Sequence, residues 1–120
     1  MIPAPSVDDA ASEWLHEFSL PKDQREGGGL IWDACRHYPE TAWEAILRIL
    51  QHPLTDEQFG MLAAGPMEDL LCYHGAEVIE RVEERAASDP KFRELLSGVW
   101  QRSTPADIWE RVKRVRGKPW

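Results

Sequence analysis

The chain has 120 residues, of which 42% are hydrophobic and 29% charged, a mixture typical of a single globular domain over residues 1–120. Its formal net charge of −7 argues against general nucleic-acid binding, which requires a cationic surface. The sequence shows no signal peptide and no apolar run near the ~20 residues that span a bilayer, so we expect a cytoplasmic protein without a membrane segment.

The first predicted helix covers residues 7–18. Ser6 and Asp9 precede it at the spacing of a capping box, which marks a helix start. Residues 22–29 are polar and glycine-rich, and we expect them to form a flexible loop. They do not match a phosphate-binding loop, because no strand precedes them and no Gly-Lys-Ser/Thr follows.

Three further helices are predicted in the first half of the chain. A short helix is predicted over 30–37, and Pro39 suits the first position of the next helix, where a missing N–H does no harm. Thr55 and Gln58 repeat the capping-box spacing and predict another start. The apolar residues between these signals recur every three to four positions, as in amphipathic helices.

The stretch LAAGPMEDLLCYHG is predicted to form a corner between two short helices. Gly65 ends one helix, and Pro66 opens the next at its first position. Glu68 and Asp69 then lie in the first turn, where negative charge meets the positive end of the helix dipole. Gly75 is expected to cap the end of that helix.

Three more helices are predicted after this corner. One covers residues 76–87, one begins at Asp89 and Pro90 as a cap followed by a first-turn proline, and the last begins near Thr104 and Pro105. No stretch alternates like a strand. The sequence therefore predicts an all-α fold of seven or eight short helices packed as antiparallel hairpins, either a helical bundle or a short α-solenoid-like stack.

The cysteines, histidines and tryptophans limit the kinds of site that the chain could form. Cys35 and Cys72 form no CxxC pair and are expected to be reduced, partly buried thiols. The four histidines form neither HxxxH nor HExxH, so we expect no metal and no cofactor. Six tryptophans are many for this length, and we expect most of them in the core.

Glu68 and His74 are the candidate catalytic residues. Adjacent Glu68 and Asp69 diverge by about 100° on a helix, which disfavours a paired-carboxylate mechanism. His74 lies on an apolar stripe, where a histidine normally hydrogen-bonds to a carbonyl or carboxylate. A small-molecule or enzymatic site around these two residues, with Arg48 or Arg81, is the alternative to a structural role.

The end of the chain is basic, with a net charge of +4 from residue 102 onward. We expect a basic last helix that docks on an acidic body, with Arg111 and Arg114 as candidate interaction residues. In the tail, 116–120, Trp120 either packs on the body or forms a partner hot spot. A further alternative is nucleic-acid contact through the basic residues of this segment, which are Arg111, Lys113, Arg114, Arg116 and Lys118.

The runs PETAWEAILRIL and LAAGPMEDLLCYHGAEVIERVEERAASDPKFRELLSGVW resemble a family of small bacterial proteins known as a domain of unknown function. The resemblance covers roughly residues 39–100, and AAGPMEDLL, the following HG and DPKFRELL are its most specific parts. It implies an all-α bacterial protein and supplies no activity and no catalytic residues.

These observations together favour a non-enzymatic protein-interaction module over an enzyme. An acidic helical protein of this size could neutralise a basic partner, such as a nuclease toxin, through complementary charge. The partner is unidentified, and an exposed tryptophan face could equally form the seam of a homodimer. The site around Glu68 and His74 is the enzymatic alternative.

Overall fold

The computed structural model describes residues 3–26 and 29–120, in which every regular element is helical. Lys22–Gln24 forms a 3-10 turn, and Ala63–Met67 forms a π-helical segment. The all-α prediction is confirmed for the described residues. In chain order the helices α1 to α7 are Val7–Glu17, Leu30–His37, Pro39–Leu50, Asp56–Leu62, Glu68–Ser88, Pro90–Ser97 and Ala106–Val115.

The predicted corner at Gly65 and Pro66 is wrong. Helix α4, the π-helical segment and α5 follow one another without a break, so the described residues form six helical segments rather than seven or eight. The N–H of Glu68 donates to the carbonyl of Ala63, five residues earlier, as in a π-turn. The wider turn accommodates Pro66, whose ring lacks an N–H and would clash in a regular α-helix.

Gly75 does not cap a helix either, because α5 continues to Ser88 and includes the helix predicted over 76–87. The backbone of His74 leaves helical values, at φ −138° and ψ 28°, so α5 is kinked there. Gly75 is buried, and a Cβ at this position would lie 2.9 Å from the Cγ2 of Ile108 in α7. The glycine therefore allows α7 to approach α5 closely.

The helix starts predicted at Ser6, Thr55 and Asp89 are confirmed. Ser6 accepts a hydrogen bond from the first turn of α1, and Thr55 and Gln58 form both hydrogen bonds of a capping box. Asp89 accepts from the first turn of α6, in which Pro90 is the first residue. These signals are local, so they act independently of the packing around them.

The predicted flexible loop over 22–29 is only partly described, because Gly27 and Gly28 lie outside the described residues. Its first part forms the 3-10 turn. The guanidinium of Arg25 donates to Glu57 of α4 at 2.7 Å, so this part of the loop is tied to the helix beneath it.

The core lies where α5 contacts α2, α3, α6 and α7, and where α1 packs on α2 and α3. Trp43 and Phe92 meet there edge to face, with ring centroids 5.3 Å apart. The expectation that most tryptophans lie in the core is wrong, since only Trp14 and Trp43 are buried. The other four are half-buried or exposed, and they are Trp32, Trp100, Trp109 and Trp120.

Two of these surface tryptophan rings are each covered on one face by an arginine guanidinium. The guanidinium of Arg36 lies over Trp32, and that of Arg116 lies over Trp109. An indole can therefore remain at the surface with one face covered by an arginine. Within residues 3–26 and 29–120, none of the helices combines the length and apolarity needed to cross a lipid bilayer.

Candidate functional site

Glu68, the first residue of α5, is buried with 3% of its surface exposed. Its Oε2 accepts a hydrogen bond from the backbone N–H of Trp100 at 3.1 Å, and its Oε1 lies 3.7 Å from the guanidinium of Arg102. Burial raises the pKa of Glu68, and these two contacts offset that rise only in part. The carboxylate thus fastens the loop between α6 and α7 to the start of α5.

Asp69 holds the same loop through Arg102, whose Nη1 lies 2.7 Å from Oδ1 of Asp69. Arg102 has a φ of +48°, the left-handed conformation that residues other than glycine rarely adopt. Its side chain therefore pairs with the start of α5 while its backbone turns the loop. Glu68 and Asp69 lie in the first turn of α5, but α5 continues the π-helical segment without a break, so they do not meet the free N-terminus of a helix as predicted. Both act through these tertiary contacts instead.

His74 joins the kink of α5 to the end of α2. Its Nδ1 lies 2.8 Å from Oε1 of Glu77, and its Nε2 lies 2.6 Å from the carbonyl oxygen of Arg36. Both partners are acceptors, so this geometry favours the protonated ring, in which both nitrogens donate. Burial opposes the charge, but the hydrogen bonds to Glu77 and to the Arg36 carbonyl outweigh it and raise the pKa of His74.

The pKa of His74 leads to a prediction about pH. A raised folded-state pKa contributes stability that is complete below the ordinary histidine value of about 6.5 and is lost as the pH rises through the higher folded value. We expect urea unfolding at pH 6 and pH 9 to give a lower free energy at pH 9, with part of the difference absent in His74→Gln. An identical pH difference in His74→Gln would contradict this assignment.

Glu68 and His74 do not converge. Among the described residues they share no hydrogen-bond partner, since Glu68 contacts the loop after α6 and His74 contacts the end of α2. Arg48 pairs with a carboxylate of α1, and Arg81 pairs with one of α3, so neither joins them. The four side chains that the sequence suggested for an enzymatic site are therefore distributed over separate contacts.

The cysteines are packed as thiols. The Sγ of Cys35 donates to the carbonyl of Pro66 at 3.3 Å, which ties α2 to the π-helical segment. Burial, with a smaller effect from Asp69, raises the pKa of Cys35 to about 12, so this thiol is a poor nucleophile. Cys72 lies 3.7 Å from the hydroxyl of Thr104. In the part of the chain that the structure describes, no three histidine, cysteine, aspartate or glutamate side chains could hold a metal ion.

The π-helical segment forms one wall of a cavity of about 120 Å³ between α1, α2 and α4, which we call the π-segment pocket. Trp32 and Met61 are the exposed members of its lining, each 40% exposed, and a Cβ added to Gly65 would contact nothing within 4 Å. The lining is mainly apolar with two acidic residues, and consists of Trp14, Glu17, Phe18, Ile31, Trp32, Met61, Gly65, Pro66 and Asp69.

An aromatic stack extends the surface beside this pocket. The guanidinium of Arg36 lies 3.7 Å from the ring centroid of Trp32 and 5.2 Å from that of Tyr73, which is 49% exposed. Sequence reasoning missed these residues. The four-residue spacing of Trp32 and Arg36 on α2 was the available signal, because such residues lie on the same helix face.

One protein family matches most of the chain, including most of the residues described above. The model of a family of unknown function, DUF6869, matches residues 21–120. The chain belongs to the DUF6869 family. The match extends beyond the residues that carried the resemblance, 39–100, in both directions. No curated protein and no solved structure matches the chain significantly.

The family match includes Glu68, His74 and the π-helical segment, but it begins after α1. The π-segment pocket of this DUF6869 member therefore combines a wall inside the matched range with Trp14, Glu17 and Phe18 outside it.

The basic end of the chain is partly paired in this family member. Arg111 of α7 forms a two-pronged ion pair with Glu83 of α5, as expected for a basic helix docked on an acidic body. Lys113 pairs with Glu110 within α7. For Arg114, no carboxylate of the described residues lies within the 4.0 Å of an ion pair.

Trp120 both packs on the body and remains exposed. Its ring lies against Phe59 of α4, with centroids 5.7 Å apart, and its Nε1 donates to Glu94 of α6 at 2.9 Å. The side chain is nevertheless 56% exposed. The tail therefore folds back across α4 and α6.

Proposed function

We propose that this chain is a non-enzymatic protein-interaction module that receives one side chain of a basic partner in the π-segment pocket. The observation that carries the proposal is the size of that pocket. A cavity of about 120 Å³ is smaller than the ~300–1,000 Å³ typical of small-molecule sites, but it suits a single anchor side chain. The exposed Trp32, Met61 and Tyr73 around it supply the apolar contact area that such anchors use.

The charges of the pocket favour a cationic anchor. Both charged residues of its lining, Glu17 and Asp69, are acidic. A lysine or arginine of the partner could lay its aliphatic stem against Trp32 and Met61 and direct its charged end toward these carboxylates. Asp69 already pairs with Arg102, but a carboxylate has about four acceptor sites and can accept a second cation. A second copy of the chain is a poorer occupant, because two molecules of net charge −7 repel each other.

The contacts of the candidate catalytic residues support a non-enzymatic role. Glu68 and His74 each hold a backbone group of another element, Trp100 N–H and Arg36 C=O respectively. Both side chains act as structural links and contact different elements, so they are not aligned with each other for acid–base chemistry, which agrees with an interaction module.

Gly65→Val tests the proposal, because Gly65 lines the π-segment pocket and a Cβ there would meet open space, so the new side chain changes the pocket wall without displacing a neighbour. A photo-reactive phenylalanine analogue at Met61 is expected to cross-link a basic protein in cells of the source organism. Gly65→Val should reduce that cross-link at least tenfold while leaving the circular dichroism and thermal unfolding unchanged. The same analogue at Arg114, outside the pocket, serves as the matched control.

Three outcomes would contradict the proposal. They are equal capture from positions 61 and 114, capture that persists in Gly65→Val, and capture of a second copy of the chain. Cross-linking at 61 that falls as salt is added would support the cationic nature of the partner.

A further inference from the structure

A second cavity, of about 220 Å³, lies between the loop after α6, α7 and the tail. Its walls are largely aromatic, and we call it the tail pocket, defined by Ser97, Gly98, Trp100, Trp109, Arg116 and Trp120. Trp100 is 72% exposed, the largest exposed fraction of any large hydrophobic side chain in the described residues. This cavity shares no lining residue with the π-segment pocket.

Arg116 gives the tail pocket its charge. It is the one charged residue of the lining, and its guanidinium lies 5.1 Å from the ring centroid of Trp109. No carboxylate of the described residues is within ion-pair distance of it. In this acidic chain most arginines are paired, and the paired ones are Arg25, Arg48, Arg81, Arg85, Arg102 and Arg111.

The wall formed by the tail is held in place by specific contacts. The backbone N–H of Trp120 donates to the carbonyl of Ser97 at 3.3 Å, and its indole N–H donates to Glu94. Gly98 leaves the space that the Trp120 ring occupies, because a Cβ there would overlap the ring. The aromatic walls are therefore positioned before any ligand arrives, which reduces the entropy lost on binding.

The volume limits the size of the ligand. A cavity of about 150 Å³ is known to hold benzene, so about 220 Å³ holds one six-membered ring with a small substituent. Aromatic walls favour a flat ring, and an unpaired guanidinium favours a carboxylate, which it can bind through two parallel hydrogen bonds.

We propose that the tail pocket binds a small aromatic carboxylate, with its ring between Trp100 and Trp109 and its carboxylate on Arg116. This site is independent of the proposed protein interaction. It also assigns a role to the basic end of the chain that requires neither nucleic acid nor a protein partner.

The test is an NMR titration of the full chain with benzoate, with benzyl alcohol as the neutral ligand of similar size. The indole N–H signals of Trp100 and Trp109, assigned from Trp→Phe variants, should shift saturably with benzoate. Benzyl alcohol should bind about tenfold more weakly, because it lacks the charge-assisted hydrogen bonds. Arg116→Gln should weaken benzoate binding about tenfold without changing the affinity for benzyl alcohol.

Arg114→Gln is the matched control, because it removes one positive charge from the last turn of α7, two residues before Arg116 and outside the tail pocket. It should leave benzoate binding unchanged. Equal weakening by Arg116→Gln and Arg114→Gln would overturn the proposal, as would shifts that fail to saturate in wild type. Neither failure would bear on the partner cross-linking at Met61, which probes the other pocket.

Discussion

Gly75→Val is expected to lower the free energy of unfolding by about 3 kcal/mol, the largest effect among the substitutions considered. A single Cβ at position 75 would already lie 2.9 Å from Ile108 Cγ2, and valine adds two more methyl groups at the same contact. Both residues belong to helices, so neither backbone can yield without separating α5 from α7. Urea unfolding of the purified variant measures the loss.

Gly65→Val is the control for this effect, because it places the same side chain in the same continuous helical segment but in open space. Its free energy of unfolding should stay within about 0.5 kcal/mol of wild type, since valine and glycine differ little in helix propensity. Similar losses at positions 65 and 75 would show that the cost comes from the backbone rather than from the contact with Ile108.

Glu68→Ala is expected to lower the free energy of unfolding by about 2 kcal/mol, because it removes the acceptor of the Trp100 N–H and leaves a void under the loop after α6. Glu68→Gln should cost less, about 0.5 kcal/mol, since its amide oxygen can still accept that hydrogen bond and no charge is buried. Amide exchange at Trp100 should accelerate in the alanine variant.

Comparing the two variants distinguishes a structural role of Glu68 from a catalytic one. A structural Glu68 predicts that alanine is much worse than glutamine in unfolding experiments. Equal stability of wild type, Glu68→Ala and Glu68→Gln would contradict the fastening role and would return Glu68 to the candidates for chemistry.

Local signals explain which parts of the fold the sequence predicts well. Ser6, Thr55 and Asp89 each satisfy backbone groups within three residues, so their pattern alone locates a helix start. Gly65 and Gly75 are ambiguous by comparison. A glycine can end a helix, but it can also allow a widened turn, as at Gly65, or the close approach of another helix, as at Gly75. At Gly75 the role depends on the packing of α7, which the local sequence does not show.

The candidate site was predictable only in part, for the same reason. That His74 would bond to a carbonyl or carboxylate follows from its place on an apolar face, but the identity of the Arg36 carbonyl depends on how α2 meets α5. The Trp100 N–H that Glu68 binds is likewise a backbone group 32 residues away, which no side-chain pattern reveals. The π-segment pocket requires three helices at once, so it has no signature in any one stretch.

The π-helical segment changes the directions in which the side chains of α4 and α5 point around the helix axis. A π-turn accommodates one residue more than an α-turn, and each residue of an α-helix advances about 100° around its axis. The extra residue therefore acts as an angular phase shift between α4 and α5. A helical wheel drawn through 56–88 as one regular helix would assign the inward and outward faces incorrectly on one side of Ala63–Met67. The same rotation fixes the orientation of α4 relative to α5. The single extra residue of the π-turn therefore determines whether Met61 faces the pocket.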